Sequence, residues 1–283
     1  MKIIAGNKAA SVIGVTNKGI FIDTASHQVL FISGESYCSP LTINLSSKID
    51  FKLLFSLGDT CALQKDQITI NHCRIVFDAN TIIWHPETIQ FKYDQWAEVI
   101  TRSMRLAAVL IEVYQKGLFL PLLEKVTRLS EGNITQTSLE EKLLILLPGH
   151  EPNQPVDLGQ RLLGLIGLGK GLTPAGDDFL VGFLLASHYL ALISPALASQ
   201  AELQKSILAT AAIKTTTLSA ALMQCAADGA ADERLMMASR WLAQGDLTIM
   251  KVKTDLLSYG SSSGMDSFAG MLAAILLFST TSP

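Results

Sequence analysis

Charge is scarce in this chain. Only 17% of its 283 residues are Asp, Glu, Lys or Arg, and the net charge is −3 with no basic run or stripe. That excludes nucleic acid as the main partner, because a phosphate backbone is bound through clustered Lys and Arg. Cysteine is scarce too. Cys38, Cys61, Cys73 and Cys225 show no CxxC or other metal-ligand spacing, so neither a zinc motif nor a disulfide framework is expected. His72 and Cys73 are adjacent and point to opposite faces of a strand, which is poor geometry for one metal. The N-terminus lacks a signal-peptide pattern, and we expect reduced thiols and a cytoplasmic location. Residues 179–201 carry no formal charge and are long enough to span a bilayer. They include Gly182, Ser187, His188, Ser194 and Pro195 and have no cationic flank, so a buried central helix ending near Ile193 is expected instead of a membrane span. His188 then reads as a satisfied core or rim histidine.

What is abundant is apolar residues, 49% of the chain, enough for a large core in one large domain or two. Two periodicities divide it. Up to about residue 90, short β-branched runs alternate with turn signals: 11–16, 19–24, 28–33, 41–45, 51–57, 60–63, 67–71, 74–77 and 81–84. This predicts an antiparallel sandwich or barrel-like β domain. The pattern changes near His85-Pro86, and from Trp96 on apolar residues recur at helical spacing. Helices are predicted over 95–116, 118–129, 138–147, 157–165, 177–193, 201–212, 217–227, 231–243, 246–258 and 265–278. Ser138 and Glu141 form a capping-box pattern, and residues 150–155 read as a loop between helices. The expected class is α+β, with a β-rich domain over 1–92 and an all-helical domain over 93–283.

The most informative stretch lies in the helical half. Residues 170–182 read Lys-Gly-Leu-Thr-Pro-Ala-Gly-Asp-Asp-Phe-Leu-Val-Gly, a turn that runs straight into two acids and then an apolar helix. A second copy follows 88 positions later, so that Thr173, Gly176, Asp178 and Gly182 fall on Ser261, Gly264, Asp266 and Gly270. Both copies fit [ST]-x-x-G-x-D-x-x-x-G. Helix capping explains an acid or hydroxyl at each start. It does not explain the shared glycines, which permit close backbone approach. Buried acids without partners are costly, so a shared functional site is the sharper reading.

Several chemistries fit these residues. Gly167, Gly169 and Gly171 alternate before Thr173, and a Gly-rich turn at a helix start can present N–H groups to an anion. Lys170 adds a charge. The loop is neither a Walker motif nor a dinucleotide fingerprint, and no G-x-S-x-G with partners supports a serine hydrolase. Asp177 and Asp178 could hold Mg²⁺ against an anionic ligand, or one of them could orient an amide or act as a base. The second motif offers Ser261, Ser262, Ser263 and Asp266. Lys214-Thr215-Thr216-Thr217-Leu218-Ser219 forms a third hydroxyl-rich helix start. If the three starts converge, the pocket would hold Gly171, Thr173, Gly176, Thr216, Thr217, Ser262, Ser263 and Gly264 as ligand contacts, with Asp177, Asp178 and Asp266 as the reactive acids. A small, polar, anionic substrate with amide groups suits it.

The strings Gly-Leu-Gly-x-Gly-Leu-Thr-Pro-Ala-Gly-Asp-Asp-Phe-Leu-x-Gly, Thr-Thr-x-Leu-Ser and Ser-Ser-Gly-x-Asp-x-x-x-Gly resemble one bacterial family, long described only as a domain of unknown function (DUF2877). Its members include the small subunit of the oxamate carbamoyltransferase of anaerobic allantoin breakdown. The resemblance implies carbamoyl transfer between oxalurate and phosphate, giving oxamate and carbamoyl phosphate, in the company of other subunits. Thr173, Gly176, Asp177, Asp178, Thr216, Gly264 and Asp266 occupy its motif positions. Two other readings stay open: a non-catalytic subunit that binds substrate or partner, and a different Mg-assisted enzyme using the same acids. A homo-oligomeric state is open as well.

Overall fold

The computed structural model describes residues 9–24, 28–114, 117–129, 157–193 and 201–278. The expected helix 138–147 with its Ser138/Glu141 box, and the loop 150–155, lie outside the described residues. The chain divides into two compact units, Met1–His85 and Pro86–Pro283. The class is α+β, a curled sheet followed by helices.

Among the described residues the first unit is built on one seven-stranded sheet. Its strands are β1 (Ala9–Val15), β2 (Gly19–Asp23), β3 (Val29–Ser33), β4 (Thr42–Asn44), β5 (Thr60–Leu63), β6 (Gln67–Ile70) and β7 (Cys73–Val76), in the order β4-β3-β2-β1-β5-β6-β7. All neighbours are antiparallel except β3 and β4. Alternation puts Val12, Ile20, Ile22, Ile32, Ile68 and Ile70 on the inner face, all essentially buried.

Two expected strands are absent. Residues 51–57 instead begin with a short helix, α1 (Phe51–Leu54). Asp50 caps it, its carboxylate accepting from the N–H groups of Lys52 and Leu53 at 3.1 and 3.2 Å. Phe51 and Phe55, four apart, turn into the core while Leu53 is 81% exposed. The apolar run is therefore a helical one-faced pattern that a period-two reading misses. Residues 81–84 form no strand either, and Ile82 is 90% exposed.

The second unit is helical: α2 (Trp96–Ile111), α3 (Leu120–Leu129), α4 (Leu158–Leu165), α5 (Ala175–Ala191), α6 (Ala201–Lys214), α7 (Thr217–Ala227), α8 (Glu233–Gln244), α9 (Ile249–Ser258) and α10 (Ser263–Phe278). The two motif helices, α5 and α10, pack on each other more extensively than any other pair. Both are apolar almost all round, which suits only a central position. Phe179, Phe183, Phe268, Leu272 and Ile275 are among their fully buried residues. The Phe119 ring stacks on Phe179 with centroids 4.4 Å apart. No helix among the described residues is long and apolar enough to cross a membrane. His188 is a structural residue, as expected: its Nδ1 donates to the Ala227 carbonyl at 2.9 Å.

The contact between α5 and α10 is built on the repeated glycines. A Cβ on Gly182 would lie 1.7 Å from the carbonyl oxygen of Ser267, and a Cβ on Gly270 would lie 1.9 Å from that of Phe179. Position 179 corresponds to 267 and 182 to 270, so each copy's glycine receives the same backbone atom of the other copy. The two helices are related by a local pseudo-two-fold axis through this crossing. That is why both motifs carry the later Gly.

Candidate functional site

The repeat extends to the helix starts. The Pro174 carbonyl accepts from the N–H groups of Asp177 and Asp178 at 2.9 and 3.0 Å, and the Ser262 carbonyl accepts from those of Met265 and Asp266 at the same two distances. The N–H of Gly176 donates to Leu168, and that of Gly264 donates to Tyr259. Each of these glycines presses on the end of the preceding helix: a Cβ would stand 2.0 Å from the Leu165 carbonyl oxygen in one copy and 2.0 Å from that of Leu256 in the other. The equivalent acids Asp178 and Asp266 thus leave their helices at matching points and face each other across the pseudo-two-fold axis.

This geometry redistributes the expected roles. The N–H groups of Gly176, Asp177 and Asp178 and of Gly264, Met265 and Asp266 are taken by backbone carbonyls, and hydroxyls are the side-chain donors beside the acids. The side chain of Asp177, where the second copy has Met265, turns the other way. Its Oδ1 accepts from the Gly167 N–H at 2.7 Å and its Oδ2 accepts from the Thr215 hydroxyl. It ties the glycine loop to the third hydroxyl-rich segment. Gly167, Gly169 and Gly171 all have positive φ, which lets the loop fold back onto the start of α5.

Thr216 completes that tie. Its hydroxyl donates to the Leu172 carbonyl at 2.7 Å and accepts from the Ser219 N–H at 3.1 Å, capping α7. The three helix starts therefore do converge, though the third is joined through its cap. Lys170, Gly171, Thr217 and Ser261 are exposed around this region, while Thr173, Ser262 and Ser263 are half-buried.

Asp178 and Asp266 are 2% and 1% exposed. Burial pushes the Asp178 carboxyl up to about 8. The nearby charges of Asp266 and Asp177 add to this, while the hydroxyls of Ser263 and Thr173 pull the other way. Burial likewise raises Asp266 to about 6, against the hydroxyls of Ser262 and Tyr114. Both carboxyls are thus raised by burial, Asp178 further than Asp266. Such a split between neighbouring acids equips one as a proton donor and the other as an acceptor. Among the described residues no group of three or more His, Cys, Asp or Glu is placed to hold a metal ion.

Three neighbours carry no sequence signal. Tyr114 follows the end of α2, outside the repeat, and its hydroxyl reaches Asp266 Oδ1 at 3.4 Å. Burial and the two acids push that phenol up to about 12. Tyr259 packs on the Asp178 side, its hydroxyl held well above its usual range by burial and by Asp232 and Asp178. Behind it the Arg234 guanidinium lies 4.9 Å from the Tyr259 ring centroid, paired twice with Asp232 at 2.7 and 2.9 Å and donating to the Ser258 carbonyl. Aromatic and Arg residues inside a helical pattern look like ordinary core and surface; only the tertiary fold brings them here.

The helical unit thus presents a buried carboxyl pair rimmed by hydroxyls and assembled from two copies of one helix start. The family model described as oxamate carbamoyltransferase subunit AllH matches residues 165–275. The matched stretch contains both motif copies, Thr215–Thr217 and Arg234, while Tyr114 lies outside it. No curated protein and no solved structure shows significant similarity to the chain.

Proposed function

We propose that this chain is the substrate-handling subunit of an oxamate carbamoyltransferase-type enzyme, moving a carbamoyl group between oxalurate and phosphate, and that Asp178 and Asp266 work on the ureido group. The observation that carries this reading is the meeting of the two repeated acids, both buried and rimmed by hydroxyls, inside the stretch that matches the family model.

In the forward reaction a phosphate oxygen attacks the terminal carbonyl carbon of oxalurate, forming a C–O bond and a tetrahedral oxyanion. Thr173, Ser262 and Ser263 are the hydroxyl donors for that oxyanion, helped by the positive ends of α5 and α10. The C–N bond to the oxamate nitrogen then breaks, and this nitrogen needs a proton. Asp178, in its protonated form, delivers it and is reprotonated by the proton that hydrogen phosphate loses on becoming carbamoyl phosphate; the reverse reaction runs the same transfers backwards. Asp266, as the carboxylate, holds an N–H of the ureido group. Lys170, Gly171, Thr216 and Thr217 border this region and would serve the anionic end of the substrate, Thr216 through the loop it anchors.

The test is oxalurate phosphorolysis by the chain together with its partner subunits, followed as carbamoyl phosphate. Asp178→Asn should lower turnover by about 10²–10⁴-fold, the usual contribution of a general acid, while the helical circular dichroism stays intact. Turnover at the wild-type rate would remove Asp178 from the mechanism. Turnover in the absence of the chain would remove the chain from the reaction.

A further inference from the structure

Two neighbouring buried atoms near the start of α10 are left without a partner. Asp266 Oδ2 is enclosed by protein and accepts no hydrogen bond, and the adjacent Ser267 hydroxyl is in the same condition. Asp266 itself is 1% exposed. A buried carboxylate oxygen without a donor costs stability, and such exceptions call for an explanation. The other oxygen, Oδ1, is engaged by Tyr114. The place of Tyr114 is fixed from behind by Gly117: a Cβ there would come within 1.9 Å of the Tyr114 hydroxyl oxygen. The ring is thus wedged between a bare stretch of backbone and Asp266, and the carboxylate is oriented with Oδ2 as its unfilled acceptor.

We infer that Asp266 Oδ2 is the ligand acceptor of this site, taking an N–H of a planar amide or ureido group, and that Tyr114 is the residue that positions it. This rests on the reading of the site as the place where the ureido substrate binds.

The surrounding charges favour an N–H donor over an anion. Asp178 faces Asp266 from α5, and Tyr114 approaches it after α2. On α8 the Arg234 guanidinium is committed to Asp232 and to the Ser258 carbonyl. On α9 Lys251 pairs with Asp255. A second anion beside Asp266 would meet two carboxyls and, in Arg234, a guanidinium already committed to Asp232 and Ser258, whereas a ureido nitrogen supplies the missing donor and is neutral. Thr173, Ser262 and Ser263 are half-buried beside the acids.

Calorimetric titration of the assembled complex tests this, with oxalurate as the ureido probe and oxalate as a carboxylate control lacking N–H. Oxalurate should bind at least tenfold more tightly than oxalate. Asp266→Asn should erase most of that preference while leaving the unliganded protein as stable as before or more so. Tyr114→Phe keeps the ring and removes the hydroxyl that holds Asp266 down, so oxalurate binding should weaken severalfold and its acid-side loss, centred near pH 6 in the native protein, should move to higher pH. Gly117→Ala, which crowds the same hydroxyl, should move it in the same direction; a purely structural tyrosine would leave that limb where it is.

Unchanged oxalurate affinity in Asp266→Asn overturns the inference, and so does equal binding of oxalurate and oxalate. An unshifted acid limb in Tyr114→Phe overturns the positioning role. A complex that turns over oxalurate normally with Asp266→Asn refutes the inference and leaves the reaction standing. A complex that binds oxalurate through Asp266 but yields no carbamoyl phosphate supports the inference and refutes the reaction.

Discussion

Replacing Gly182 by alanine sets a small side chain against a backbone that cannot rotate away. The new Cβ would stand 1.7 Å from the Ser267 carbonyl oxygen and 2.6 Å from its carbon. Ordinary contact begins at 3.4 Å, so α5 and α10 would have to part by 1.7 Å at the crossing. A gap of even ~0.5–1 Å already forfeits a quarter to a half of the dispersion attraction across a packed surface. Phe179, Phe183, Phe268 and Leu272 all lie on that pair. Overpacking of this kind costs about 1–3 kcal/mol, and a rigid carbonyl puts it at the upper end. Alanine returns about 1 kcal/mol of helix propensity, leaving a net loss of about 2 kcal/mol.

Gly164→Ala is the matched control. Gly164 lies in α4 with nothing within 4 Å of an added Cβ, so there alanine should stabilise by up to about 1 kcal/mol. The two variants should then differ by about 3 kcal/mol, or roughly 6–12 °C in the melting of a unit this size. Thermal and urea unfolding followed by circular dichroism at the helix band, where the second unit dominates, reads the difference. If Gly182→Ala unfolds together with Gly164→Ala, the close crossing of α5 and α10 is wrong, and the pseudo-two-fold placement of the acids falls with it.

Two further outcomes follow from buried charge. Folded Asp178 keeps its proton up to about pH 8, whereas in the unfolded chain it is lost near 3.8. The folded state therefore binds the extra proton between these values, and stability falls as pH rises through that window, by up to about 1.4 kcal/mol per pH unit. Asp178→Asn should remove the fall, stabilising the protein at pH 8 and much less at pH 4; a stability gain independent of pH in urea titrations would contradict the buried, protonated carboxyl. Arg234→Met strips the guanidinium from Asp232, itself 6% exposed, and should cost about 3–5 kcal/mol. Replacing Asp232 with Asn in the same chain should restore part of it, and a milder single loss would mean that water reaches the pair.

The parts of the molecule that could be read beforehand are those whose signal is local or repeated. Strands such as Thr60–Leu63, and helix α7 with its Thr216 cap, follow from alternation, helical spacing and cap chemistry within a few residues. The approach of Asp178 to Asp266 could be anticipated only because the motif occurs twice. Residues 51–57 misled because Phe51, Leu53, Phe55 and Leu57 alternate on paper, while Asp50 and the 51/55 pair obey the helix period. The role of Asp177 was hidden because its partners, Gly167 and Thr215, are set by a loop whose path depends on three positive-φ glycines. Tyr114 was invisible for a simpler reason. A tyrosine after an amphipathic helix has many possible neighbours, and no pattern in the chain says that this one meets a carboxylate 152 positions later.

The partner that α5 is built for is also distant along the chain. Until residues near 263–278 have left the ribosome, the nascent protein carries an apolar helix that lacks its most extensive packing partner. Contacts spanning this separation form late, because a long loop must close before they reward the chain. During that interval the helix is a target for chaperones and for aggregation. Premature stop codons before α10 should therefore yield insoluble protein and no partly active fragment, and slow translation across residues 190–260 should lower the yield of native subunit even when every residue in it is correct.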